Sequence, residues 1–302
     1  MELITISPQA AHYQVTQWTA AGNLPRLVQL AYSGGKASEC VLEMVLRREL
    51  VVPVPLIVTC ADPGMEDPRT HNHTNAMEAR CHRANIPFLR AKRNLYQELL
   101  AAKRSGATRF DFPGFYTKDR VTGKRGKMLQ KCTQAYKIAP MDRLARSWMD
   151  ANMGISKRSK RIGERILCKW VGFSASEFMR VKNHPVPKYV YFDYPLINLG
   201  MNDLDILKYY ADRSLRVPPR SVCAGCFAND AWYFEEMYNE RPESWAQAVA
   251  VDEEIRDLSQ FGVRDECFVY QGLLPLRELA AQGFPKPAKK ERTNCHTGHC
   301  FL

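Results

Sequence analysis

Residues Ala31–Cys40 read AYSGGKASEC, and a glycine pair followed by a lysine between two serines can hold a phosphoryl anion. Glycines let backbone N–H groups converge on one point, the amino end of a following helix adds partial positive charge, and Lys36 adds a full one. Ser33 and Ser38 supply hydroxyl donors. A plain strand-to-helix turn uses glycines in the same way, so this chemistry requires an apolar strand before the pair and a helix after it. The spacing is not that of a Walker A loop, which sets four residues between its first glycine and Gly-Lys-Ser/Thr.

A second group with chemical potential is the cysteine pair Cys223-Ala-Gly-Cys226, whose spacing places two thiolates on one metal or cluster. Two ligands are not a site. Cys132 and the tail Asn294–Cys300, with Cys295, His296, His299 and Cys300, are the candidates to complete it. The expected set is Cys132, Cys223, Cys226 and one tail cysteine, taken as Cys300, holding either zinc or an iron–sulfur cluster, since thiolate ligation suits both. Cys40, Cys60, Cys81, Cys168 and Cys267 stand singly in apolar surroundings and read as small buried hydrophobes. The first residues lack a basic region, an apolar stretch and a small-residue cleavage site, and no apolar run reaches the roughly 20 residues of a membrane helix. A cytoplasmic protein is expected, whose ten cysteines stay reduced.

Charge supplies the third signal. The 302-residue chain has 43 Lys+Arg against 32 Asp+Glu, and the excess is local: Arg90–Lys169 holds 21 basic and 6 acidic residues, net +15, while the remainder is slightly acidic. Such a stretch attracts polyanions, because neutralising phosphates releases counterions. Lys124, Arg125, Lys127, Lys157, Arg158, Lys160 and Arg161 are the expected nucleic-acid contacts, with DNA favoured over RNA. Phe110, Phe112, Phe115 and Tyr116 lie among the charges and are candidates to stack on bases. His71, His73 and His82 follow an acidic loop; His73 with Glu66 is a candidate acid–base pair, against the simpler reading of polar residues on a solvent-facing helix.

These residues need elements to position them. Apolar runs and helical spacing give a helix over 8–21, strand 27–33, helix 36–50, strand 54–60, helix 68–84 and strand 86–91. That alternation implies a parallel sheet wrapped by helices, with ligands outside the carboxyl ends of its strands. Both SGGKAS and the acidic segment Ala61–Asp67, ADPGMED, fall at such ends and are expected to share a crevice. Residues 92–131 read as a long loop, 135–149 as a helix, 189–197 as a strand, 202–213 as a helix, and 229–240 and 242–258 as two more. The expected division is an α/β core with a basic, aromatic excursion over 1–130, the rest of the core over 131–220, and a helical, cysteine-bearing region over 221–302.

SGGKAS resembles the PP-loop of adenine-nucleotide alpha hydrolases, most nearly their phosphoadenosine phosphosulfate (PAPS) reductase-like branch. The acidic strand end TCADPGMEDPRTHNHT, the KCTQAYKIAPM element and SVCAGCFANDAWYF are similar to three further elements of that branch, in the same order. The resemblance implies a Rossmann-like parallel sheet flanked by helices, with a helical, metal-binding carboxyl-terminal region. It also implies a phosphate cradle made of Ser33, Gly34, Gly35, Lys36 and Ser38, with Asp62, Gly64 and Glu66 lining the adjoining wall. ATP-using members split ATP between the α and β phosphates, so ATP and Mg²⁺ are implied cofactors, with Lys36 on the leaving phosphate and Asp62 or Glu66 orienting metal or nucleophile. Many members carry aspartate where this chain has Ala37, whose methyl group holds no cation. The chain also lacks a Cys-Cys pair and a Glu-Cys-Gly-Leu-His tail, which disfavours sulfate assimilation. The expected function is an enzyme that modifies a base or the backbone of nucleic acid using ATP. One alternative is an ATP-independent, glycosylase-like enzyme acting on a flipped or altered base, suited to defence against foreign DNA. Another is a nucleic-acid-binding protein without catalysis.

Overall fold

In a computed structural model the described residues are 25–52, 54–156, 166–181 and 187–285. The expected opening helix lies outside them. In chain order the elements are β1 (Leu27–Tyr32), α1 (Lys36–Leu46), β2 (Leu56–Asp62), α2 (Pro68–Arg83), β3 (Phe88–Lys92), α3 (Leu95–Arg104), β4 (Tyr116–Lys118) and β5 (Arg125–Lys127). A π-helical turn (Thr133–Ile138) runs into α4 (Ala139–Met153). Then come β6 (Leu167–Val171), β7 (Val190–Asp193), α5 (Pro195–Asn198), α6 (Asp203–Asp212), α7 (Ala231–Glu240), α8 (Pro242–Glu254), β8 (Glu266–Phe268) and α9 (Leu276–Ala281). The chain divides into two compact units with interleaved segments. The first is Met1–Ala61, Arg69–Ala91 and Pro140–Ser221; the second is Asp62–Pro68, Lys92–Ala139 and Val222–Leu302.

The first unit is built on a five-stranded sheet of order β3-β2-β1-β6-β7, in which β1 pairs in parallel with both β2 and β6, and β6 with β7. This is the expected Rossmann-like α/β architecture. Strand order reverses at β1, because the chain steps outward through β2 and β3 and then returns to the other side at β6. Along β1 the alternation sorts side chains between two cores. Val28, Leu30 and Tyr32 face a cluster containing Cys40, Val41, Leu42, Trp170, Ile206 and Tyr210, while Leu27 packs with Ile57, Ala145 and Met149.

The interior strand β6 has no counterpart among the expected strands. Lys169 breaks its apolar run, yet it is buried at the middle of the sheet, ion-paired with Asp142 of α4 and 5.5 Å above the Phe192 ring. Two other elements end early. The α1 helix stops at Leu46 because Arg48 turns left-handed (φ 62°) and the amides of Glu49 and Leu50 both return to the Met44 carbonyl. The strand expected over 189–197 is cut at Asp193 because Pro195 opens α5.

In the second unit, the stretch read as a loop over 92–131 contains α3, capped by the Asn94 side chain accepting from the Gln97 amide at 3.0 Å, and the β4–β5 hairpin. The hairpin joins β8 in a three-stranded antiparallel sheet of order β5-β4-β8. Residues 222–285 are mainly helical, as expected. The aromatics proposed to stack on bases are used internally. Phe112, Phe115 and Tyr116 are buried, and Phe110 packs against Phe112, Tyr136 and Phe261, because edge-to-face ring packing supplies the core of this unit.

Removing Asp142 would leave the Lys169 ammonium buried and unpaired. Asp142→Ala is expected to lower stability by about 2 kcal/mol, less than the roughly 3–5 of a fully buried pair because Asp142 reaches solvent. Urea unfolding checks this, and the double variant Asp142→Ala/Lys169→Met should recover most of the loss.

Candidate phosphate-binding site

The reversal at β1 opens a crevice outside its carboxyl end, where ligands of open α/β sheets bind. Residues 33–35 occupy that position and α1 starts at Lys36. Gly34 has φ 76°, and a Cβ there would stand 3.3 Å from both Thr70 Cγ2 and Thr74 Oγ1, so neither the backbone conformation nor the space admits a side chain readily.

Serine hydroxyls fix the loop from inside. The Ser33 amide donates to Ser38 Oγ at 3.1 Å, the Gly35 amide to Ser33 Oγ at 3.3 Å, and Ser38 Oγ to the Gly35 carbonyl at 3.1 Å. From outside, Ser221 Oγ donates to the Ser33 carbonyl and Tyr210 OH to the Lys36 carbonyl. The first amides of α1 have no acceptor within the helix, and no side chain caps its Gly35 end. An anion there meets N–H groups, the helix dipole and Lys36. Lys36 Nζ lies 2.8 Å from Asp203 Oδ1 at the start of α6, with the two side chains 24% and 41% exposed.

Ser33, Gly34, Gly35, Lys36 and Ser38 are thus brought together as the sequence suggested. Four partners were missed: Thr74, Asp203, Tyr210 and Ser221. Only Thr74 carried a local cue, standing four residues after Thr70 on one face of α2; the rest arrive from distant segments. Thr74 is 3% exposed, and its buried hydroxyl faces Gly34 and has no hydrogen-bond partner among the described residues.

His73 meets Glu39 of α1, whose same oxygen accepts from Tyr32 OH at 2.9 Å, because α2 packs this face of α1 in the first unit. Arg80 likewise pairs with the buried Glu43.

The acidic segment starts the second unit. Asp62 Oδ1 accepts from the Gly64 amide at 2.8 Å, and the Gly64 carbonyl accepts from Gln247. Glu66 forms an antiparallel bridge with Cys223, and the Ala224 amide donates to the Met65 carbonyl at 2.8 Å. This bridge gathers Glu66, Cys132, Cys223 and Cys226 within electrostatic reach of Lys137. Burial opposes the charge on Lys137, but Cys223, Glu66, Cys132 and Cys226 more than offset it and hold the ammonium above its ordinary range. Burial pushes the Cys223 thiol well up against the opposing pull of Lys137.

The donor set therefore has the soft character a metal would need, but among the described residues no three His, Cys, Asp or Glu side chains stand close enough to hold an ion. The expected zinc or iron–sulfur ligand set is incomplete among the described residues, and the Lys137 ammonium interacts with its thiols. Cys300 and the rest of the tail lie outside the described residues. Cys40, Cys60, Cys81, Cys168 and Cys267 are all buried, and burial pushes Cys40, Cys81 and Cys267 up to about 12, as inert core thiols require.

Lys124, Arg125 and Lys127 are exposed on the hairpin, whereas Lys157, Arg158, Lys160 and Arg161 lie outside the described residues. The basic stretch is divided between the two units, and Arg90, Arg93, Lys103 and Lys169 are taken by Glu78, Glu98, Glu254 and Asp142.

No protein-family model matches the chain, and no curated protein is similar to it. Among solved structures, phosphoadenylyl-sulfate (PAPS) reductase from Candida auris, a phosphate complex, is similar at 13% identity and a TM-score of 0.36, over 72% of this chain and 92% of that one. The U34-tRNA thiolase NcsA from Methanococcus maripaludis, with its [4Fe-4S] cluster, is similar at 13% identity and a TM-score of 0.38, over 80% of this chain and 75% of that one. No helix among the described residues is long and apolar enough to cross a membrane.

The orphan hydroxyl gives a test of the cradle. Thr74→Val keeps the shape and removes the unsatisfied group, so stability should hold or rise by up to about 1 kcal/mol. Pyrophosphate binding should weaken about five- to tenfold through the lost hydrogen bond to a charged ligand. Urea unfolding and isothermal titration read the two effects, and a structural role alone would leave the second unchanged.

Proposed function

We propose that this chain is an enzyme that binds a nucleotide phosphate at Ser33–Ser38 and modifies nucleic acid. The observation that carries the reading is the left-handed Gly34 turn at the carboxyl end of β1, where strand order reverses, with Lys36 beside it and the Thr74 hydroxyl facing it. The four ordered motifs of the PAPS reductase-like resemblance agree with it. Within this reading Ser33, Gly34, Gly35 and Ser38 hold the phosphate in place, and Lys36 stabilises the negative charge that grows on it as a bond to phosphorus breaks.

Asp203 competes with the ligand for Lys36. An arriving phosphate must displace that carboxylate or share the ammonium with it, so the two residues should act in opposite directions. The exposed β4–β5 cations support a nucleic-acid substrate, with DNA proposed ahead of RNA. Cys132, Cys223, Cys226 and Cys300 remain proposed thiolate ligands of a cluster or zinc on donor chemistry alone, and no step above runs through them.

A second reading is favoured by Ala37, whose methyl group cannot hold Mg²⁺: the cradle would grip the phosphate of a flipped nucleotide, and bond cleavage would need no ATP.

Lys36→Ala is expected to weaken ATP and pyrophosphate binding by about 10- to 100-fold, since hydrogen bonds to charged groups contribute roughly 1.5–3 kcal/mol. Asp203→Asn should strengthen binding by up to about fivefold, in line with a partly exposed ion pair of about 1 kcal/mol or less. Titration calorimetry on folded variants measures both. Incubation with DNA or RNA, with and without ATP and Mg²⁺, separates the two chemistries. Pyrophosphate release supports the first and ATP-independent base or strand damage the second. Unaltered binding by Lys36→Ala removes the cradle from both.

A further inference from the structure

Residues 118–131 hold six basic side chains and one acid, and the β4–β5 ribbon fixes where several of them stand. In its register Lys118 lies directly opposite Arg125 and Tyr116 opposite Lys127, so these four share one face. Like charges placed directly opposite destabilise an antiparallel pair. Glu266 faces Lys118 from β8, but Arg125 and Lys127 lie on the edge strand with no acid in register. The acid at the turn, Asp119, is committed to the amides of Val121 and Thr122 and to the Thr122 hydroxyl, which hold its carboxyl below the usual range. Arg120 is braced by the Arg264 carbonyl at 3.0 Å and by Asp257.

The unmatched cations are also held in place. The Arg125 guanidinium lies 4.8 Å from the Tyr116 ring centre and the Lys127 ammonium 4.8 Å from that of Phe227. Gly126 keeps β5 against β4, since a Cβ there would come within 2.5 Å of Thr117 Oγ1. At the turn, Val121 is 93% exposed and packs in none of the hydrophobic clusters among the described residues.

The rings under these cations, Tyr116 and Phe227, are buried together with Phe268 and present no face to bases. Single-strand binders rely on exposed rings for stacking, so the surface suits a duplex, whose bases are already stacked. Resting on the nucleic-acid reading above, we propose that the β4–β5 ribbon docks on duplex DNA, with Lys118, Lys124, Arg125 and Lys127 against phosphates and Val121 entering the major groove. The major groove of B-DNA admits a two-stranded ribbon, whereas that of A-form RNA is deep and narrow.

Fluorescence anisotropy with labelled duplex DNA, duplex RNA, single-stranded DNA and polyglutamate, across a salt series, tests this on the full chain. For Lys118→Ala/Lys124→Ala, two exposed positions, the slope of log affinity against log salt should fall by about 2, since each phosphate contact contributes about 0.9. Val121→Asp should weaken duplex DNA binding by about tenfold or more through repulsion and lost groove contact. An unchanged slope or an unaffected Val121→Asp overturns the proposal. So does any of the other three probes binding as tightly as duplex DNA. If the parent binds duplex DNA and the hairpin variants match it, this surface alone is rejected; if the parent binds no nucleic acid, the reading beneath it falls as well.

Discussion

The fold of the first unit turns on one backbone constraint: the chain must leave a buried strand and enter a helix within three residues, through a left-handed glycine. Gly34 makes that turn, and much around it serves to hold it. Ser33 and Ser38 bond back into the loop, Tyr210 and Ser221 donate to its carbonyls, and Tyr32 reaches Glu39 one turn into α1. Each bond contributes only about 1 kcal/mol net. Together they fix a segment that would otherwise take many conformations, and they do so without using the first amides of α1.

The same unit buries more charge than a plain α/β core needs. Glu39 and Glu43 on α1 face His73 and Arg80 on α2, and Lys169 at the centre of the sheet faces Asp142. Leaving the buried Glu39, Glu43 or Lys169 unpaired would be unfavourable by about 2 kcal/mol or more, so these acids and bases help dictate the helix positions. This explains the place of His73, which is spent on Glu39 inside the packing of α1 against α2.

How much of this could be read from the sequence depended on whether the deciding interaction was local. Periodicity and punctuation located β1, α1, β2, α2, β3, α6 and the pair α7 and α8, and the glycine turn between β1 and α1 was legible because it is contiguous. Strand β6 was invisible because Lys169 makes it look polar, and its partner Asp142 is 27 residues away. Helix α3 was passed over although Asn94 is a good cap, since the surrounding glycines, prolines and charges suggested a loop. Asp203, Tyr210 and Ser221 reach the cradle only through tertiary structure.

The cysteine region shows a related limit. Cys132 and Lys137 are five residues apart, a separation that an ordinary α-helix splays to different faces. Here they lie on a π-helical turn, whose i→i+5 bonding, seen where the Ala139 amide donates to the Gln134 carbonyl, brings residues five apart nearly into line. The widened turn therefore delivers Lys137 to the thiols of Cys132, Cys223 and Cys226 and to Glu66. A helix-period reading of the same residues starts the helix two positions late and does not bring Lys137 into line with Cys132. The Lys137 ammonium interacts with these thiols and with Glu66, so any account of these cysteines has to include its charge.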